Sequence, residues 1–134
     1  MSIQISVSII APWVLKIVAA VIMLQTLYFK FSGAEESVYI FSQLGMEPWG
    51  RIGTGILELI ASFLILYPKT TFIGSVLAIG LMTGAIFAHL VKLGISVNND
   101  GGQLFIYALL VLTSSTVLAL IYRNDGIHLI KKVF

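Results

Sequence analysis

Residues 70–91 read TTFIGSVLAIGLMTGAIFAHLV, a stretch without formal charge when His89 is neutral. About 20 apolar residues carry an α-helix across the hydrocarbon of a bilayer, and only helices and closed barrels satisfy their backbone hydrogen bonds there. The stretch reads as a transmembrane helix. Three more segments of this kind flank it. One runs from about Val7 to Phe29 and is interrupted by Lys16, and one from about Ile52 to Tyr67 with Glu58 inside it. The last, again uncharged, runs from about Gln103 to Tyr122. The expected fold is all-α: an integral membrane, antiparallel four-helix bundle, one domain over residues 1–134.

The rest of the composition agrees. Of the 134 residues, 58% are hydrophobic and only 10% are charged, where soluble domains carry about a quarter. With a mean hydropathy of +1.01, lipid must solvate most of the surface. The first segment lacks a basic leader and a small-x-small cleavage site, so it reads as a permanent span and not as a signal peptide.

The link at Pro68 and Lys69 is short enough to make the second and third spans antiparallel neighbours. Four spans place both termini on one side, with Lys69, Arg123, Lys131 and Lys132 there and Lys16 nearest to it. The opposite side carries Lys30, Arg51 and Lys92 together with Glu35, Glu36, Glu47 and Asp100. The Lys/Arg excess favours termini in the cytoplasm; the expected location is the cell (inner) membrane. Lys16 is expected to snorkel along its methylenes to the headgroups, in preference to a buried pair with Glu58. The tail from Arg123 to Phe134 reads as an anchor on anionic headgroups.

Between the first two spans, Ser32-Gly33-Ala34-Glu35 has the spacing of a capping box. Val38, Tyr39, Ile40, Phe41 and Leu44 then form an apolar stripe, ended by Gly45 and Pro48. A short amphipathic helix over 35–44 follows, lying at the outer interface or tucked over the mouth of the bundle. Trp13, Tyr28 and Trp49 fall near the depths of aromatic belts. Asn98, Asn99, Asp100, Gly101 and Gly102 read as a flexible link before the last span.

Ionisable groups inside a bilayer are costly, so each one is a functional candidate. At about 1.5 Å of rise per residue, Glu58 lies roughly 10 Å below the outer face, Gln25 roughly 7 or 8 Å and His89 roughly 4 or 5 Å. Gln103 and Tyr107 open the last span from the same face. Polar groups on four helices thus share one level. Arg51, Gly55, Glu58 and Ser62 lie on one face of the second span by steps of three and four. If these faces turn inward, a ligand-binding pocket opens to the outer side, formed by Gln25, Tyr28, Lys30, Glu58, Ser62, His89, Gln103 and Tyr107. The competing reading makes Glu58 a packing carboxyl, protonated or paired with Lys30, Arg51 or His89. Gly80, Gly84 and Ala88 stand at four-residue spacing in the third span. They read first as tight packing within the bundle and second as a homodimer contact.

Several chemistries fall away. With no cysteine, disulfides, thiol redox chemistry and thiolate metal sites are excluded. His89 and His128, expected on opposite sides, are too few for a zinc site, so no metal is expected. A net charge of +2 without a basic tract gives no reason to expect nucleic acid. No phosphate-binding Gly loop follows a strand.

Four motifs in order, Tyr28-Phe29-Lys30-Phe31-Ser32-Gly33, Leu44-Gly45-Met46-Glu47-Pro48, Gly55-Ile56-Leu57-Glu58-Leu59 and Ala88-His89-Leu90, resemble the DoxX/DoxX-like family of membrane proteins. The resemblance covers roughly residues 9 to 122 and implies a four-helix membrane fold. Relatives include the membrane subunit of a thiosulfate:quinone oxidoreductase and a membrane partner of soluble redox enzymes. What this implies is a membrane subunit or assembly factor, without catalysis of its own, for a protein partner such as a redox protein. The alternative is a binder of a small lipophilic molecule, a quinone or a lipid. Without cysteine, any oxidoreductase role needs a bound quinone or a partner's cofactor. Transport comes last, because no broken-helix pair is visible.

Overall fold

A computed structural model describes residues 2–97 and 99–133, with side chains from Ile9 onward. Asn98 of the expected flexible link and Phe134 of the expected anchor lie outside the described residues. The chain is all-helical. Among the described residues six α-helices follow in order: α1 (Ser2–Ser32), α2 (Glu35–Gln43), α3 (Trp49–Leu66), α4 (Thr71–Ala88), α5 (Gln103–Ile121) and α6 (Arg123–Val133). A 3₁₀ turn (Pro68–Thr70) precedes α4, and a π-helical turn (His89–Leu93) extends it. Within this chain Ile9–Ser32, Trp49–Leu66, Pro68–Leu93 and Gln103–Ile121 are long and apolar enough to cross a membrane. The chain is an integral membrane protein.

The four long helices form an antiparallel bundle. α1 packs on α3 and α5, and α4 packs on the same two, so α1 and α4 stand diagonally. Ala19, Met23, Ala61, Ile65, Ala78, Met82, Ala108, Val111 and Leu118 fill the core. Large apolar residues such as Phe63, Val76 and Leu120 remain exposed around it. That inversion is what a lipid-solvated bundle requires.

α3 and α4 join most tightly at the end of the bundle that carries the chain termini. A Cβ on Gly74 would stand 2.6 Å from the Ile65 backbone nitrogen and 2.9 Å from the Ala61 oxygen, so only glycine permits this approach. Thr70 and Thr71 donate their hydroxyls to the carbonyls of Leu64 and Ile65 at 2.8 and 2.9 Å, satisfying orphan acceptors at the end of α3. Gly80 and Gly84 behave differently. Both are exposed, and a Cβ on either meets nothing within 4 Å. The tight packing expected of the Gly80, Gly84 and Ala88 stripe is not found; close approach is supplied one and a half turns earlier, by Gly74.

Lys16 corrects a second expectation. It is 0% exposed, and its Nζ sits 4.3 Å from the Trp13 ring centroid and 4.6 Å from that of Tyr122. Side chains on a helix lean toward its N-terminus, which carries the ammonium into the angle between α1 and the end of α5. The two aromatic faces take the place of water.

The expected capping box does not form either. α1 runs on to Ser32, and α2 begins after Ala34 without a side-chain cap. Gly33, at φ +69°, makes the break. Gly45, at φ +71°, ends α2 as expected. The link before α5 is organised around Asp100. Its Oδ1 accepts from the Val97 and Gly102 amides at 3.0 and 2.8 Å, and its Oδ2 from Leu104 at 3.3 Å. Burial pushes this carboxyl up, but backbone hydrogen bonds from Gly102, Val97, Leu104 and Gln103 outweigh it and hold it below its ordinary value. At the other end α6 packs on α4, α5 and the 3₁₀ turn, with Gly126 buried against Phe72.

The two kinds of glycine predict opposite outcomes. Gly74→Ala is expected to lower stability by about 1–3 kcal/mol through overpacking. Gly80→Ala is expected to raise it by up to about 1 kcal/mol through helix propensity. Thermal unfolding of both variants in detergent checks this; equal effects contradict the assignment.

Candidate functional site

At the end of the bundle that carries α2, two helices meet through charge. Glu58 of α3 is 3% exposed. The Lys30 Nζ of α1 donates to both of its carboxylate oxygens at 2.8 Å. Side chains lean toward helix N-termini, so in antiparallel α1 and α3 these two lean toward one another. Thr26, one turn from Lys30, donates to Glu58 Oε2 at 3.3 Å and to the Met23 carbonyl at 2.8 Å. Of the three partners open to Glu58 from sequence, the structure selects Lys30. Arg51 instead pairs with Glu47, with Nε 3.0 Å from both carboxylate oxygens, and its Nη1 donates to the Lys30 carbonyl. Gly55 faces the Phe31 ring. The face of α3 read from sequence therefore meets α1.

His89 opens the π-helical turn and is 5% exposed. Its Nδ1 stands 2.9 Å from the Gly94 carbonyl oxygen, while the Gly94 amide donates to the His89 carbonyl at 2.7 Å. A carbonyl only accepts, so Nδ1 carries the proton of this bond. The ring packs edge-on to Phe105, centroids 5.7 Å apart.

Between these groups lies a cavity of about 810 Å³, lined from α1, α2, α3, α4, the π-helical turn and α5. Gln25, Lys30, Glu58, His89, Gln103 and Tyr107 all reach its wall. Gln103 Nε2 donates to the Tyr107 hydroxyl at 2.7 Å. α2 covers the cavity with Ser37, Ile40 and Phe41, and Met23, Met82 and Ala108 extend its lining into the core.

Two residues expected here lie elsewhere. Tyr28 is 73% exposed, because it sits a helical step outside the inward row of Ala20, Met23 and Leu27. Ser62 is buried, and its hydroxyl donates to the Glu58 carbonyl at 2.8 Å, one turn below the wall. Thr26, Thr54 and Lys92 line the cavity without having been expected. Thr26 was within reach of sequence reasoning, one turn before Lys30 on the same face. Among the described residues no group of three His, Cys, Asp or Glu side chains converges.

The pattern of the DoxX-like family matches residues 14–114, which span α1 to α5 and every residue named on the cavity wall. The chain belongs to the DoxX-like family. No curated protein and no solved structure matches it. In this DoxX-like protein the cavity's polar end, the α1–α3 ion pair and the π-helical turn all fall inside the matched region.

Breaking a buried ion pair leaves an uncompensated charge. Glu58→Ala is therefore expected to cost about 3–5 kcal/mol, and replacing both partners, as Lys30→Met with Glu58→Leu, about 1 kcal/mol or less. Thermal unfolding of the single and double variants measures it. A loss in the double variant equal to the sum of the two single losses would show that the pair contributes no coupling.

Proposed function

We propose that this DoxX-like protein is a non-catalytic membrane binder of a small amphipathic molecule, a quinone or a lipid, held in the cavity beneath α2. The observation that carries this reading is the cavity itself, about 810 Å³, within the roughly 300–1,000 Å³ typical of ligand sites. It joins an apolar wall to a few convergent polar groups at one end, the pattern an amphiphile needs. Lys30 and Glu58 neutralise one another, so the polar end offers hydrogen bonds from Gln25, His89, Gln103 and Tyr107 and no net charge from that pair. The reading places the termini in the cytoplasm and the cavity's polar end toward the opposite face.

A second reading, a subunit or assembly factor holding a protein partner, draws on the exposed aromatic residues Tyr39 and Trp49 near α2. Co-purification of one stoichiometric partner from native membranes would favour it.

Thermal unfolding with decyl-substituted benzoquinone and with hexadecanol tests binding. A ligand at a hundred times its Kd adds about 2.7 kcal/mol, so a clear rise in Tm is expected. His89→Ala and Gln103→Ala are expected to diminish that rise at unchanged helix content. No shift of the unaltered protein by either compound overturns the proposal.

Orientation has its own test, made simple by the absence of native cysteine. Ser42→Cys on α2 is expected to react with a membrane-impermeant maleimide on intact cells, and Lys132→Cys only after lysis. The reverse pattern inverts the orientation.

A further inference from the structure

α4 presents two rows of residues by steps of three and four. Ala78, Met82, Ala85 and His89 face the bundle. Gly80, Gly84, Phe87 and Val91, offset by two positions and so nearly opposite at 3.6 residues per turn, are exposed. Both rows contribute to one cavity: Met82, Ala85 and His89 line it, and so do Gly80, Gly84, Phe87 and Val91. The cavity therefore wraps round the flank of α4, from the polar groups in the bundle to the surface that meets acyl chains. The two glycines keep that flank shallow, since no neighbouring atom lies within 4 Å of where their Cβ would be. Packing does not require glycine there, and in a helix each costs about 1 kcal/mol relative to alanine.

The polar end of this passage has a defined sense. His89 donates through Nδ1 to the Gly94 carbonyl, so in the neutral ring Nε2 is an acceptor. Among the described residues Nε2 has no hydrogen-bond partner. It is not sealed away either, because fully occluded, unpartnered side-chain atoms there are confined to Ser75 and Ser115. His89 lines the cavity with one ring nitrogen committed to Gly94, so its other nitrogen is left to accept from a ligand that brings a donor.

Building on the binding role above, we propose that the ligand is a single-tailed amphiphile with a hydroxyl head, a long-chain or isoprenoid alcohol or phenol. Its O–H donates to His89 Nε2. Its tail leaves the bundle over Gly80 and Gly84 into the bilayer, so the ligand arrives sideways from the lipid phase.

The test uses the full chain in phosphatidylcholine vesicles, with hexadecanol bearing a diazirine in its tail and the methyl ether of the same compound. On irradiation the alcohol is expected to label the segment 80–91, about five- to tenfold more than the ether, the factor a lost hydrogen bond of about 1 kcal/mol or slightly more produces. His89→Phe is expected to bring alcohol and ether to the same low level. Gly80→Leu with Gly84→Leu, whose Cβ atoms meet nothing within 4 Å, fills the flank and is expected to cut labelling about tenfold at unchanged helix content. Equal labelling by alcohol and ether overturns the hydroxyl assignment. Undiminished labelling of the leucine pair overturns the lateral route. A dimer that the leucine pair converts to monomer makes the flank a contact between copies and also overturns it. If neither probe labels the unaltered protein and neither compound shifts its Tm, the binding role itself falls; labelling without selectivity removes only this inference.

Discussion

The ion pair between Lys30 and Glu58 fixes how α1 and α3 lie against one another, and most of the α2 end of the bundle follows from it. A carboxylate and an ammonium in hydrocarbon each need a partner of opposite charge, and here each finds the other. Their meeting sets the axial register of the two helices. Gly55 then falls opposite Phe31 and Arg51 opposite the last carbonyls of α1. Apolar packing alone permits sliding by a turn; a charge pair does not. Removing either partner would leave the other charge buried and unpaired, which holds the two helices to this register.

The opposite end is built on contrary terms. Gly74 and the two threonine hydroxyls draw α3 and α4 together until backbone touches backbone. A hairpin clamped at one end, with a covered hollow at the other, results from two short stretches of sequence. α2 lies over the hollow because its apolar stripe has Phe41 to bury and its polar edge has water to meet.

Sequence periodicity and charge revealed the four spans, their antiparallel order and the covering helix, because hydrocarbon leaves a chain few alternatives. That Gln25, Glu58, His89 and Gln103 come to one cavity wall was within reach of sequence, since helix rise is constant. Rotation about each helix axis was not. Tyr28 was assigned to the pocket by depth, yet one step of rotation turns it to the lipid. Gly80 and Gly84 carry the same four-residue spacing as a packed interface, and nothing local to them tells that Gly74 takes the contact instead. The choice of Lys30 for Glu58 depended on the lean of side chains in antiparallel helices, a three-dimensional fact with no one-dimensional signature.

The aromatic cage around Lys16 bears on how the chain is made. Trp13 is available as soon as α1 forms, but the Tyr122 ring comes from the far end of α5. Synthesis must deliver all the intervening spans before that second face arrives. Until then the ammonium of the first span stands in or near hydrocarbon with a single ring beside it, an expensive position for a cation. The cage that α1 begins with Trp13 therefore closes only when the end of α5 is in place.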